Sequence, residues 1–141
     1  MDIRQLTPEF AVSPQILPEE LEAIAAAGFK AIICNRPDSE VGPDLSSDTL
    51  RSMAQAAGLE WGDNPISGGG MTMDNVVAQG ALAETLAGPV LAYCRSGTRS
   101  ATAWAFSMAG KMDVDDIIAA TAKGGYDLAG ARHQIENMAK S

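Results

Sequence analysis

Histidine is nearly absent from this 141-residue chain, which has only His133, and its cysteines are two, Cys34 and Cys94. A structural zinc site needs four such ligands, so none is expected. A catalytic Cys–His or Ser–His–Asp pair is not expected either, because His133 sits among Ala131, Arg132, Gln134 and Glu136 in what reads as a surface helix. Basic residues are scarce, ten against eighteen Asp and Glu, for a net charge of −8. That balance argues against nucleic acid or an anionic membrane as partner, since both require clustered Lys and Arg. No run approaches the roughly 18 apolar residues of a membrane span. Met1-Asp2-Ile3-Arg4-Gln5 carries neither the basic flank nor the apolar segment of a secretory signal, so a cytoplasmic location is expected.

What is present is an ordinary globular composition, 46% hydrophobic and 20% charged, expected to form one domain over residues 1–141. A recurring punctuation organises it: an Ala-rich helical stretch, a glycine, then a short apolar run. It occurs at Gly28 before Phe29 to Cys34, at Gly58 before Leu59-Glu60-Trp61, and at Gly88 before Pro89 to Tyr93. Each glycine suits the left-handed residue after a helix, and each run is short enough for a buried strand. Helix starts are expected at Pro18-Glu19-Glu20, Ser46-Ser47-Asp48, Thr72-Met73-Asp74 and Asp113, with a last helix from about Ala131 to Ala139. Phe10 to Ser13 is a further strand candidate. Alternating helix and strand predict a three-layer α/β fold, a four- or five-stranded and mostly parallel sheet with helices on both faces.

Parallel sheets place ligands beyond the carboxyl ends of their strands. Cys94 lies at such an end, followed by Arg95-Ser96-Gly97-Thr98-Arg99-Ser100 and a helical run from Ala101. A cysteine, a short loop with a glycine and two arginines, then a helix start describes an anion cradle with a nucleophile at its base. The positive end of the helix is expected to favour the thiolate, the competent nucleophile near neutral pH. Arg99 is expected to grip an anion bidentately, with Arg95 beside it. Ser96 and Thr98 shape the loop or touch ligand, and Gly97 supplies a positive φ or a close backbone approach. Ser100 is expected either to cap the helix or to donate to the Cys94 sulfur. Cys34, Arg36 and Asp38 follow the end of the strand Ala31 to Ile33 and should border the same rim, as should Ser67-Gly68-Gly69-Gly70 after the strand Leu59 to Ile66. Arg36 and Asp38 could form a turn pair or bind anions. Cys34 is either strand core or a thiol able to reach Cys94 and resolve an oxidised sulfur as a disulfide.

Tyr93-Cys94-Arg95-Ser96-Gly97-Thr98-Arg99-Ser100-Ala101 closely resembles the active-site loop of rhodanese-type sulfurtransferases, although the Gly-His-Ile-x-Gly-Ala segment of those domains is missing upstream. Leu6-Thr7-Pro8, Phe10 to Ile16, Asn35-Arg36-Pro37-Asp38 with Glu40, and Gly125-Tyr126-Asp127-Leu128 resemble the beta-lactamase-hydrolase-like family, so the similarity covers nearly the whole chain. That resemblance implies a cysteine-phosphatase-like topology and sulfurtransferase activity in some members. It also implies, as a partner, a metallo-beta-lactamase-like persulfide dioxygenase. No cofactor is expected. Cysteine phosphatases share the Cys, the Gly three positions on and an Arg followed by Ser, but space Cys and Arg by five residues. Here four residues separate Cys94 from Arg99, a tighter ring of N–H donors that suits a sulfur-sized group on the cysteine. Tyr93 also stands where the phosphatases carry histidine. Their general acid, worth about 10²–10⁴ in rate, would have to be Asp63, which falls within or beside a strand. Sulfur transfer needs less acid help.

The expected function is therefore a sulfurtransferase moving sulfane sulfur from thiosulfate or a persulfide through a Cys94 persulfide, with a small anionic donor and a thiol acceptor as partners. The alternative is a phosphatase acting through phosphocysteine. A third reading is a non-enzymatic module that senses anions or persulfides.

Overall fold

The computed structural model describes residues 1–140. Five short strands form one sheet: β1 (Arg4–Thr7), β2 (Phe10–Ser13), β3 (Ala31–Cys34), β4 (Glu60–Asp63) and β5 (Val90–Tyr93), in the order β1-β2-β5-β3-β4. The last four run parallel to one another, and β1 is an edge strand antiparallel to β2. Every residue of β2, β3 and β5 is buried, as strands covered on both faces require. The register aligns Ser13, Tyr93, Cys34 and Asp63 in one row. All four parallel strands thus end at the same level and release their loops onto one rim.

Six helices cover the sheet: α1 (Leu21–Ala26), α2 (Ser47–Ala56), α3 (Met73–Thr85), α4 (Thr98–Ser107), α5 (Val114–Lys123) and α6 (Arg132–Ala139). Two of them, α1 and α2, bring Leu21, Ile24, Leu50 and Ala54 against Ala11, Ile32, Leu91 and Tyr93 on one face. The other face packs Phe10, Val12, Ile33 and Ala92 against Trp104, Ile117 and Ile135 of α4, α5 and α6, with Leu82 of α3 beside them. Phe10 and Trp104 stack with centroids 5.9 Å apart. Burying each such side chain is worth about 1.5–3 kcal/mol. Among the described residues, no helix is long and apolar enough to cross a membrane.

The expected helix starts hold. Ser46 accepts the Thr49 N–H ahead of α2, and Thr72 with Asn75 forms a reciprocal cap on α3. Pro18–Glu20 make a short 3₁₀ turn before α1. Gly28 and Gly58 take the left-handed conformation, φ +103° and +87°. Gly88 does not; Leu86 already closes α3, and Gly88 precedes a cis proline. The strand expected over Leu59 to Ile66 stops at Asp63, where Asn64 turns inward to hydrogen-bond Gln79 of α3.

Candidate active site

β5 ends at Tyr93, and the chain turns at Cys94 to Gly97 before α4 begins. Gly97 occupies the cap position with φ +92°, a conformation open to glycine, so Ser100 is not the cap. Cys94 is fully buried, and its Sγ accepts the Gly97 N–H at 3.1 Å. Tyr93 and Cys34 face the α1–α2 layer. Alternation along the strand turns Cys94 the other way. There the sulfur lies close enough to be among the groups that raise the Arg99 guanidinium and the Tyr126 phenol. Sulfur, amide and guanidinium thus meet at the N-terminal end of α4, where the helix dipole favours negative charge.

Arg99 is held in place by the rim. Its two terminal nitrogens bind the two Glu40 oxygens at 2.8 Å each, and Nη1 also donates to the Ile66 carbonyl at 2.6 Å. Arg36 steadies Glu40 from behind, donating from Nε to its carboxylate at 3.2 Å and from Nη2 to its backbone carbonyl at 3.2 Å. Gln15, beyond β2, accepts from Arg36 at 3.1 Å. The hydrogen bonds from Arg99, the largest influence, keep the Glu40 carboxyl below the ordinary carboxylate range, with burial opposing and Arg36 assisting. The same pairing raises Arg99 further. An incoming anion must therefore share or take this guanidinium fork from Glu40.

The loops after β2, β3, β4 and β5 do converge, through Gln15, Glu40, Ile66 and Arg99. Not every expected residue joins them. Arg36 pairs with Glu40 and Gln15 instead of forming a turn pair with Asp38. Asp38 is exposed and accepts the Ser47 N–H at 2.8 Å, away from the cradle. Cys34 is 2% exposed on the opposite face, donates to the Arg36 carbonyl at 3.4 Å, and has its thiol pushed up by burial. Both cysteines are free, and their opposed directions correct the idea that Cys34 resolves Cys94. Arg95 is exposed, while its carbonyl accepts the Gln15 N–H at 3.3 Å. The Ser96 and Thr98 hydroxyls bond each other at 3.0 Å, which makes them loop-shaping groups. The Ser100 hydroxyl is buried without a hydrogen-bond partner, so it neither caps α4 nor donates to Cys94. The His133 side chain is 95% exposed and lies beside Glu136.

The acid question has a clear geometric answer. Asp63 ends β4 on the α2 face, bonded to Ser47 and to Trp61 Nε1, the latter at 3.0 Å. Its register partner is Cys34, not a residue of the Cys94 loop. The segment beyond, Ser67 to Gly70, contains no carboxyl group. The carboxylate that reaches the cradle is Glu40, and it is held ionised. Glu40 and Gln15 were not among the expected site residues. The spacing of Arg36 and Glu40, four apart, is the one local signal that could have paired them.

The sequence pattern of the family described as beta-lactamase hydrolase-like protein, phosphatase-like domain, matches residues 2–111. The chain belongs to that family. A beta-lactamase hydrolase-like protein of Agrobacterium fabrum is 31% identical over 137 residues, which is 95% of this chain and 32% of that protein. The chain thus spans about a third of the length of the curated relatives it matches. A candidate phosphatase from Neisseria meningitidis, solved by crystallography, is 33% identical with a TM-score of 0.83, covering 98% of this chain and 99% of that one. PTPMT1, in complex with PI(5)P, superposes with a TM-score of 0.76 at 14% identity, covering 99% and 96% of the two chains, and shares the fold. This phosphatase-like domain therefore has the cysteine-phosphatase topology expected from the sequence.

Proposed function

We propose that this domain is a cysteine-dependent hydrolase of phosphomonoesters. The observation that carries the reading is the Gly97 N–H aimed at Cys94 Sγ, with the Arg99 fork beside it at the start of α4. The family and the phosphatase fold of its structural neighbours support it, although fold alone does not fix chemistry. The Cys94 thiolate attacks phosphorus, the ester P–O bond breaks, and the leaving oxygen departs as an anion that takes its proton from solvent. Arg99 and the loop amides hold the three phosphoryl oxygens as charge develops on them. Water then attacks the phosphocysteine, releasing phosphate and restoring the thiolate. Glu40, the carboxylate at the cradle, is ionised and engaged by Arg99, so monoesters with stable leaving anions, such as aryl phosphates, are favoured over alkyl esters.

A second reading, sulfur transfer, is favoured by two specific observations: four residues between Cys94 and Arg99, and an ionised Glu40 as the cradle's carboxylate. Here the thiolate attacks the outer sulfur of thiosulfate, the S–S bond breaks, and sulfite leaves without needing a proton. An acceptor thiolate then removes the sulfur from the Cys94 persulfide. Side-by-side turnover of an aryl phosphate and of thiosulfate plus a thiol, by the wild type and Cys94→Ser, separates the two. The leading reading predicts Cys94-dependent phosphate release exceeding sulfite release. Sulfite release alone moves the assignment to sulfur transfer, and Cys94-independent turnover of both removes each.

A further inference from the structure

Gly125-Tyr126-Asp127-Leu128 has no part in the reaction as written, yet it touches the Cys94 loop. Tyr126 is 7% exposed in the core beneath α4 and α5, and its hydroxyl donates to the Ser96 carbonyl at 3.0 Å. The Ser96 carbonyl and the Gly97 N–H belong to one planar trans peptide, so they point in opposite directions. The other end of that peptide is the donor that meets Cys94 Sγ at 3.1 Å. A bond on each side fixes the plane.

Gly97 is the residue that makes such fixing necessary. Its φ of +92° and missing side chain let the preceding peptide rotate at little cost, which would turn the N–H away from the sulfur. It cannot be stiffened by a larger residue, because a Cβ at Gly97 would collide with the Tyr126 hydroxyl. Tyr126 is itself anchored. Its N–H bonds the Thr121 carbonyl at 2.9 Å after a left-handed Gly125, φ +92°. The Arg4 guanidinium lies 5.3 Å from its ring centroid and donates to the Gly124 carbonyl at 3.0 Å. The next carbonyl back along the loop, that of Arg95, is drawn outward in the same manner by the Gln15 N–H.

We infer that Tyr126 is a positioning residue for Cys94: its phenol locks the Ser96–Gly97 peptide with the N–H directed at the sulfur, and Arg4 holds the phenol in place. The inference rests on Cys94 being the reacting thiol, and it holds for phosphoryl and sulfur chemistry alike. Burial, the largest influence, raises the Tyr126 hydroxyl above its ordinary range, so it remains a donor throughout the neutral range. The ionisable groups that feel the sulfur are Arg99, itself paired with Glu40, and Tyr126, which carries Arg4 on its ring.

The test reads the sulfur and not turnover. The ultraviolet absorbance of the Cys94 thiolate is titrated against pH in wild type and Tyr126→Phe, each measured against its Cys94→Ala counterpart, with thermal melting alongside. Loss of the lock is expected to move the titration midpoint upward by about half a unit or more, because a charge-directed N–H bond is weakened. The ring, and with it most of the packing, is kept. An unchanged midpoint in folded Tyr126→Phe overturns the inference. Should that variant not fold, Arg4→Gln decides: a smaller upward shift supports the lock, and no shift overturns it. Failure of wild type to turn over either substrate would count against the proposed function and leave this titration unaffected.

Discussion

At the scale of single residues, the site depends on one guanidinium serving two partners. Lysine at position 99 would keep the charge but lose the planar fork that meets both Glu40 oxygens. Arg99→Lys is expected to lower kcat/KM for an aryl phosphate by about 10²-fold or more, close to the loss of one oxyanion donor, as read by steady-state kinetics. Glu40 gives a pH prediction. Its carboxyl is held below its unfolded value, so the pairing stabilises the fold fully at pH above about 4.3. That contribution is lost as pH falls through the lower folded value. Urea unfolding of wild type and Glu40→Gln is expected to differ by about 1 kcal/mol at neutral pH, with the gap closing in acid. A gap that persists unchanged in acid would contradict the assignment. Cys94, Arg99 and Gly97 were legible as residues because a Cys, a positive-φ glycine and an Arg between a strand and a helix have few other uses. Arg36 was legible as a rim residue and misread in its partner. Sequence spacing places side chains on a rim; it does not say which way a long side chain turns.

At the scale of elements, what holds the loops in register is mostly buried amide chemistry. Asn35, Asn64 and Gln79 lie inside, tied by Asn35 Nδ2 to Gln79 Oε1 at 2.8 Å, Gln79 Nε2 to Asn35 Oδ1 at 3.0 Å and Asn64 Nδ2 to Gln79 Oε1 at 2.8 Å. Asn35 also accepts the Ile66 N–H on its backbone carbonyl at 2.9 Å, and Ile66 in turn accepts from Arg99. The ends of β3 and β4 are thereby fastened to α3 and to the cradle. Gln79→Leu leaves two buried amides short of partners and is expected to cost about 2–3 kcal/mol in urea unfolding, far more than Gln→Leu on a surface. Nothing in the sequence marks this cluster, since its members are 15 to 44 residues apart and meet only once the strands are ordered. The helix starts at Ser46 and Thr72 were legible because a capping hydroxyl acts on residues two or three positions away. The end of β4 was not, because Asn64 leaves the strand for a tertiary bond to α3. The edge strand β1 escaped for a related reason: its alternation is short, and only its pairing with β2 defines it.

At the scale of the whole molecule, the row Ser13, Tyr93, Cys34 and Asp63 explains both what the site contains and what it lacks. It brings four loops to one rim, as a parallel sheet must. It also puts Asp63 and Cys34 on the α2 face, with Cys94 on the other, so neither Asp63 nor Cys34 reaches Cys94. Layering and the mostly parallel sheet followed from the alternation of Ala-rich helices and short apolar runs; the strand order and the facing of individual carboxylates did not, because they depend on pairing and register. The central claim is that buried Cys94, cradled by the Gly97 amide and Arg99, carries the transferred group. Quenched-flow peptide mass spectrometry after mixing with an aryl phosphate, and in parallel with thiosulfate, tests it directly. The account predicts a transient phosphoryl group or a single added sulfur on Cys94, and none on Cys34. Cys94 unmodified under both conditions, or modification confined to Cys34, would contradict it.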